Sequence, residues 1–149
     1  MTDSNRKIII DAITRMLSRR EHSCQEVYRK LSQKGFARDD FMSIVQEFVD
    51  ADILSDHRYA QMRVRACAAR GIGTSRINGE LKQQGIDESL ISAAIAEAEI
   101  DWFELALQVK QKKFGQQVEG DFKHRQKQMQ FLHYRGFTQE QIQYAVNGD

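Results

Sequence analysis

The sequence predicts an all-α protein of tandem three-helix repeats: three modules and about nine helices, forming an elongated body that can curve. Three observations predict this. The 149 residues contain no proline, and they are rich in strong helix formers while lacking the alternating Val, Ile, Thr and Tyr runs of strands. Three segments also align with one another: "LSQKGFARDDFMSIV" from Leu31, "LKQQGIDESLISAAI" from Leu81 and "LHYRGFTQEQIQYAV" from Leu132. Charge, finally, alternates in blocks with nearly the same period.

Each aligned copy has Leu, then Gly four residues later, then Phe or Ile. A glycine in the left-handed conformation just past a helix, with Leu at C3 and an apolar residue at C″, is the signature of a Schellman cap. Gly35, Gly85 and Gly136 are thus read as helix stops. Phe41, Ile91 and Ile142, each followed four residues on by Val45, Ile95 and Val146, mark the helix that comes next.

In chain order, Ile9, Ile13, Met16 and Leu17 have helical spacing. Ser23-x-x-Glu26 is a capping-box pattern opening a helix from about Cys24 to Lys34, and Phe41, Ile44, Val45 and Phe48 define a third helix. The middle module repeats this with helices over about Asp56–Arg70, Ser75–Gln84 and Glu88–Glu99. Gly71 and Gly73 lie at the joint between its first two helices, Thr74 or Ser75 opens the second, and Asp87 is the cap candidate of the third. The last module opens on Trp102, Leu105, Ala106 and Val109, has a polar middle around Gly115 to Gly120, and closes with a helix started by the capping box Thr138-x-x-Gln141. The modules are expected to span residues 1–54, 55–100 and 101–149.

The formal net charge of +1 conceals the blocks. Residues 6–38 carry nine Lys/Arg and three Asp/Glu, residues 39–56 six acidic and no basic residues, and residues 57–82 six basic and one acidic. Residues 87–104 are again acidic, with six Asp/Glu, and residues 105–135 basic, with seven Lys/Arg against two. Modules stacked in register would gather positive potential on one side, which suits a polyanion or a charged groove.

No enzymatic chemistry is legible. "GIGTSR" lacks the third glycine and the preceding strand of a dinucleotide loop, and no phosphate-loop motif is present. Four histidines and two cysteines fall into no metal-ligand spacing. "EHSC", Glu21 to Cys24, is read as a helix cap rather than a triad. Arg76 to Glu99 has the outline of a helix-turn-helix, but its second helix carries Asp87, Glu88, Glu97 and Glu99 and no cation, which would repel it from phosphates. No catalytic, cofactor or metal site is therefore expected. With few cysteines and no apolar span, a cytoplasmic protein without membrane contact is expected.

"SDHRYAQMRVRACAARGIGTSRINGELKQQGI", Ser55 to Ile86, resembles the central signature of RecX regulatory proteins, and "LSRREHSCQEVYRKLSQKGF", Leu17 to Phe36, resembles their N-terminal one. Asp56, Tyr59, Arg65, Arg70, Gly71, Gly73, Glu80, Leu81 and Gly85 are among the positions that carry the likeness. Cys67 departs from it, standing where a basic residue is frequent. The resemblance weakens between Lys113 and Lys127. It implies a non-enzymatic regulator that binds along the groove of the RecA–DNA filament and limits recombinase, ATPase and coprotease activities in DNA repair, recombination and the SOS response. Its expected partners are the RecA filament and single-stranded or duplex DNA touched through the backbone, with Arg19, Arg20, Arg65, Arg70, Arg76, Lys110, Lys112 and Lys113 as contacts and the chain a monomer. The alternative is a sequence-nonspecific nucleic-acid-binding helical module that competes for single-stranded DNA.

Overall fold

The computed structural model describes residues 3–116 and 121–148, so part of the polar segment around Gly115 to Gly120 lies outside the described residues. Among the described residues there are nine helices and no strand. They are α1 (Asp3–Arg19), α2 (Cys24–Gln33), α3 (Arg38–Asp50), α4 (Asp56–Ala69), α5 (Thr74–Gln83), α6 (Glu88–Glu97), α7 (Trp102–Phe114), α8 (Phe122–Tyr134) and α9 (Gln139–Asn147). Substantial helix packing stays within triplets: α1, α2 and α3 pack together, as do α4, α5 and α6, and α7, α8 and α9.

Three apolar cores follow from this. Ile9, Ile13, Val27, Leu31, Phe41, Ile44, Val45 and Leu54 form the first. Tyr59, Ala60, Val64, Ile77, Leu81, Ile86, Ile91 and Ala94 form the second, and Ala106, Leu132, Phe137, Ile142, Ala145 and Val146 the third. Trp102 opens α7 yet packs against the second core, so it ties two triplets together.

The second helix of each triplet ends as its sequence dictates. Phe36, Ile86 and Phe137 donate their N–H groups to the carbonyls of Leu31, Leu81 and Leu132, each at 3.1 Å. The glycines between have φ of +96°, +76° and +96°, the left-handed region that an L side chain rarely enters. Ser23 and Thr138 make full capping boxes with Glu26 and Gln141.

One local expectation, at Asp87, differs, and two details were not read from the sequence. Thr74 opens α5 as expected, while its N-cap is Gly73, without a side-chain cap. Asp87 stands at the N-cap of α6, but its carboxylate accepts from the Ser89 hydroxyl instead of a helix N–H. At the end of α3, Asp52 takes the left-handed position (φ 59°) that glycine takes elsewhere, and Ile53 N–H reaches Phe48 O at 2.9 Å.

The glycine turns also join the triplets. Gly73 N–H donates to Arg135 O at 2.8 Å and Ser75 N–H to Gly136 O at 2.9 Å. The unpaired N–H groups at the start of α5 thereby meet the unpaired carbonyls at the end of α8, satisfying both and opposing two helix dipoles favourably. A Cβ on Gly73 would lie 2.6 Å from Gly136 O, and one on Gly136 would collide with Arg76. At the first joint Cys24 N–H donates to Asp56 Oδ1 at 2.8 Å. There Gln25 Nε2 donates to Gln83 O at 3.3 Å, where a Cβ on Gly85 would strike the Gln25 side chain. Gly35 faces open space.

Gly35 and Gly136 share a φ of +96° and differ in what surrounds them. Gly35→Ala is expected to cost only the backbone strain, about 1–3 kcal/mol, whereas Gly136→Ala adds overpacking of about 1–3 kcal/mol. Urea unfolding of the two variants checks this. Equal losses would show that the joint is slack.

Candidate functional site

Two basic grooves emerge from the packing. In the first, the C-terminal half of α1 faces the C-terminal half of α2 across a space of about 430 Å³ lined by Arg15, Met16, Arg19, Arg20, His22, Lys30 and Lys34. Arg15 and Arg19 are one helical turn apart on α1, and Lys30 on α2 is one turn from Lys34 at its C-cap, so each pair projects to one side. In the second, α7 and α8 meet the end of α4 around about 450 Å³, lined by Arg70, Gly71, Leu105, Val109, Lys112, Lys113, Phe131 and Arg135.

The floor of the first groove is built by the turn between α1 and α2. His22 is buried. Its Nδ1 lies 3.0 Å from Arg20 O, which makes Nδ1 the protonated nitrogen, and its Nε2 lies 3.0 Å from Lys30 Nζ, from which it accepts. Burial lowers the His22 pKa, with the nearby Arg20 and Lys30 charges adding to the effect, so the ring is neutral and braces Lys30 without cancelling its charge. Arg20 is engaged differently: its guanidinium holds both Glu26 oxygens, at 3.0 and 2.7 Å, and the carbonyl of Glu21 at 2.8 Å. Burial alone would raise the Glu26 pKa, but Arg20 and the Ser23 N–H hold the carboxyl below its ordinary range.

The second groove mixes charge with apolar surface. Arg135 donates to Arg70 O at 2.9 Å and lies over the Phe131 ring at 5.0 Å from its centroid. Lys113 Nζ lies over the same ring at 5.6 Å, so one aromatic ring carries two cations.

Of the eight contacts expected from the sequence, Arg70, Lys112 and Lys113 converge on the second groove and Arg19 and Arg20 line the first. Arg65 is exposed on α4 and lines neither. Arg76 stacks over Tyr134 at 5.3 Å and packs against Gly136, which gives it a place in the joint. Two expectations need correction. Lys110 is only 1 % exposed and sits inside the third triplet, so it is no surface contact. Arg20 spends its fork on Glu26 and has little left for a partner. Arg15, Lys30, Lys34 and Arg135 were not singled out from the sequence, because a basic block does not say which of its members share a groove.

The Ser23–Cys24 pair beside the first groove is engaged in the turn. Ser23 is committed to its cap, and burial together with Asp56 pushes the Cys24 thiol up to about 12, far from a nucleophile's range. No metal-holding group of His, Cys, Asp and Glu is found among the described residues, and no helix there is long and apolar enough to cross a membrane.

A chain of three-helix units joined through glycine turns and carrying basic grooves is a helical-repeat protein. Its family is shown by comparison with known proteins. The models for the first, second and third three-helix domains of RecX match residues 11–47, 55–95 and 99–146. The chain is 42% identical to "Regulatory protein RecX" of Vibrio campbellii, covering 92% of this chain and 88% of that protein. It is 37% identical to the protein of the same name from Serratia proteamaculans, over 91% and 94% of the two chains. The fold is also that of the crystal structure of RecX from Lactobacillus salivarius, with a TM-score of 0.83 at 20% identity over 99% of this chain and 97% of that one. The chain belongs to the RecX family of regulatory proteins.

The turn that builds the first groove makes stability pH-dependent. The folded pKa of His22 lies below its ordinary 6.5, so its contribution is intact above that value and is lost as pH falls through the lowered one. Glu26, held below 4.5, loses its contribution at still lower pH. Thermal unfolding followed from neutral to acidic pH should show two losses. His22→Gln should remove the upper one and keep the lower; a variant with both intact would contradict the assignment.

Proposed function

We propose that this chain is a regulator of the RecA recombinase that binds along the RecA–DNA filament groove and limits strand exchange, ATP hydrolysis and coprotease activity during DNA repair and recombination. The observation that carries the reading is the convergence of Arg70, Lys112 and Lys113, from two triplets, on one groove with an aromatic floor. Membership of a family named for regulation supports it. Its units are the modules 1–54, 55–100 and 101–149, and it acts as a cytoplasmic monomer without enzymatic activity of its own. A row of modules suits a filament, because each can address a successive protomer and weak contacts then add through effective concentration.

Reversing two charges of this groove tests the reading. Arg70→Glu with Lys112→Glu is expected to raise the concentration needed to inhibit RecA-dependent ATP hydrolysis about tenfold, equivalent to about 1.4 kcal/mol, with the helical circular dichroism unchanged. Unaltered inhibition would sink the assignment. The second reading, competition for single-stranded DNA alone, is favoured by Arg15, Arg19, Lys30 and Lys34 of the first groove, which have no carboxylate partner among the described residues. It requires that inhibition vanish once RecA is already assembled on its strand, whereas the filament reading requires that it persist.

A further inference from the structure

The three triplets place different side chains at one equivalent position of the second helix, and the difference points to a ligand. Counting from the glycine turns, Lys30, Glu80 and Phe131 correspond, as do Lys34, Gln84 and Arg135. In the middle triplet Glu80 neutralises Arg63 of α4 at 2.8 Å. In the last triplet the Phe131 ring engages both Arg135 and Lys113, and Arg135 also holds the carbonyl of Arg70. At this position both later triplets engage the cations beside it internally. The first puts Lys30 at this position, opposite Arg15 and Arg19, with Lys34 one turn further on.

Among the described residues, no carboxylate lies within ion-pair distance of Arg15, Arg19, Lys30 or Lys34. The nearby acids are spent: Glu26 holds Arg20 and Glu21 holds Arg58. His22 orients Lys30 through a neutral nitrogen and so leaves its charge in place. Four like charges facing one groove repel one another unless an anion enters.

We propose that the groove between α1 and α2 is a phosphodiester site, in which Arg15, Arg19, Lys30 and Lys34 grip the backbone of a nucleic-acid strand. The proposal rests on the reading that the chain works on a DNA-bearing filament, and it assigns the grip on the strand to the first triplet. A protein occupant is disfavoured by the lining. The equivalent groove of the last triplet seats a protein corner on Leu105, Val109 and Phe131, whereas here only Ala12 and Met16 are apolar. Protein interfaces depend on buried apolar anchors, while binding to phosphates is driven by counterion release and needs none. A second copy of the chain is disfavoured too, because the corner that fills the later groove is that of Arg70, itself a cation. Paired arginines suit phosphate oxygens through their planar fork, and sequence would not be read, since no side chain here is placed to address base edges.

The test is fluorescence anisotropy of the full chain with a labelled oligothymidylate across a salt series. Arg15→Gln with Arg19→Gln, and separately Lys30→Gln with Lys34→Gln, are each expected to lower affinity about tenfold at low salt. Each should also flatten the dependence of log affinity on log salt by about 1.4, at about 0.7 per phosphate on single strands. Thermal unfolding and circular dichroism verify that the four sites, all on exposed or half-buried positions, tolerate the change. Unchanged affinity and slope in both variants would overturn the site, as would absence of oligothymidylate binding by the unmodified chain. Displacement by poly-glutamate at a lower concentration of charge than by unlabelled oligothymidylate would also overturn it, in favour of an acidic protein partner. Inhibition of ATP hydrolysis measured on the same variants separates this from the functional reading: inhibition that survives with strand binding unchanged removes the site and leaves the regulator, whereas inhibition lost only on reversal of Arg70 and Lys112 concerns the other groove.

Discussion

A left-handed glycine after the second helix of each triplet is the constraint on which the rest of the structure depends. It ends the helix by turning the chain so that an apolar residue folds back on the helix it has left, as Phe36 does on Leu31. This directs the third helix across the first two and closes a core of few residues. The same absence of a side chain lets the preceding triplet come within hydrogen-bonding distance of the turn, at Gly85 and Gly136. One residue type thus serves both the fold of a unit and the joining of units. The turn at Gly35 keeps the conformation but faces open space.

The joints are polar, and this shapes how the array carries charge. Ends of helices meet there, with N–H groups opposite carbonyls and with Arg58 reaching from α4 to Glu21, to Asp52 and to two carbonyls of the chain ahead of it. Such contacts fix orientation more than they stabilise. They also use up particular cations: Arg58 and Arg76 serve joints, and Arg20 locks the turn next to one. What remains for a partner is therefore a subset of the basic blocks, gathered where the first and second helices of a triplet diverge.

Local geometry was the part legible in the sequence. The three Leu-x3-Gly-[Phe/Ile] copies and the two capping boxes specify bonds between residues at most five apart, so spacing alone determines them. The stop at Asp52 was not legible, since nothing in its identity demands a left-handed backbone. The joint at Gly73 escaped for a different reason: its φ is −89°, and glycine is required there by the approach of Gly136 from 63 residues away in the chain. Among the basic residues, Arg70, Lys112 and Lys113 share a groove only because α7 packs against the end of α4. Arg20 and Lys110 were lost to an ion pair and to burial, neither of which a charge block reveals. Lys30 and Lys34 were hidden among nine cations until the residues corresponding to Lys30 could be compared: Glu80 pairs with its neighbouring cation and Phe131 stacks with two.

That comparison bears on how such an array acquires function. Equivalent positions experience the same backbone, so a change of residue between copies alters surface chemistry without disturbing the fold. Glutamate at position 80 closes its groove with an ion pair, phenylalanine at 131 turns its groove into a seat for a neighbouring unit, and lysine at 30 opens its own to an external anion. The repeat thereby separates two demands that compete in a single small domain. Cohesion requires cations to be paired, and attraction to a polyanion requires some to stay unpaired. In the first triplet Arg15, Arg19, Lys30 and Lys34 face one groove without a carboxylate partner among the described residues and meet the second demand, while the cations beside Glu80 and Phe131 serve cohesion in the later triplets.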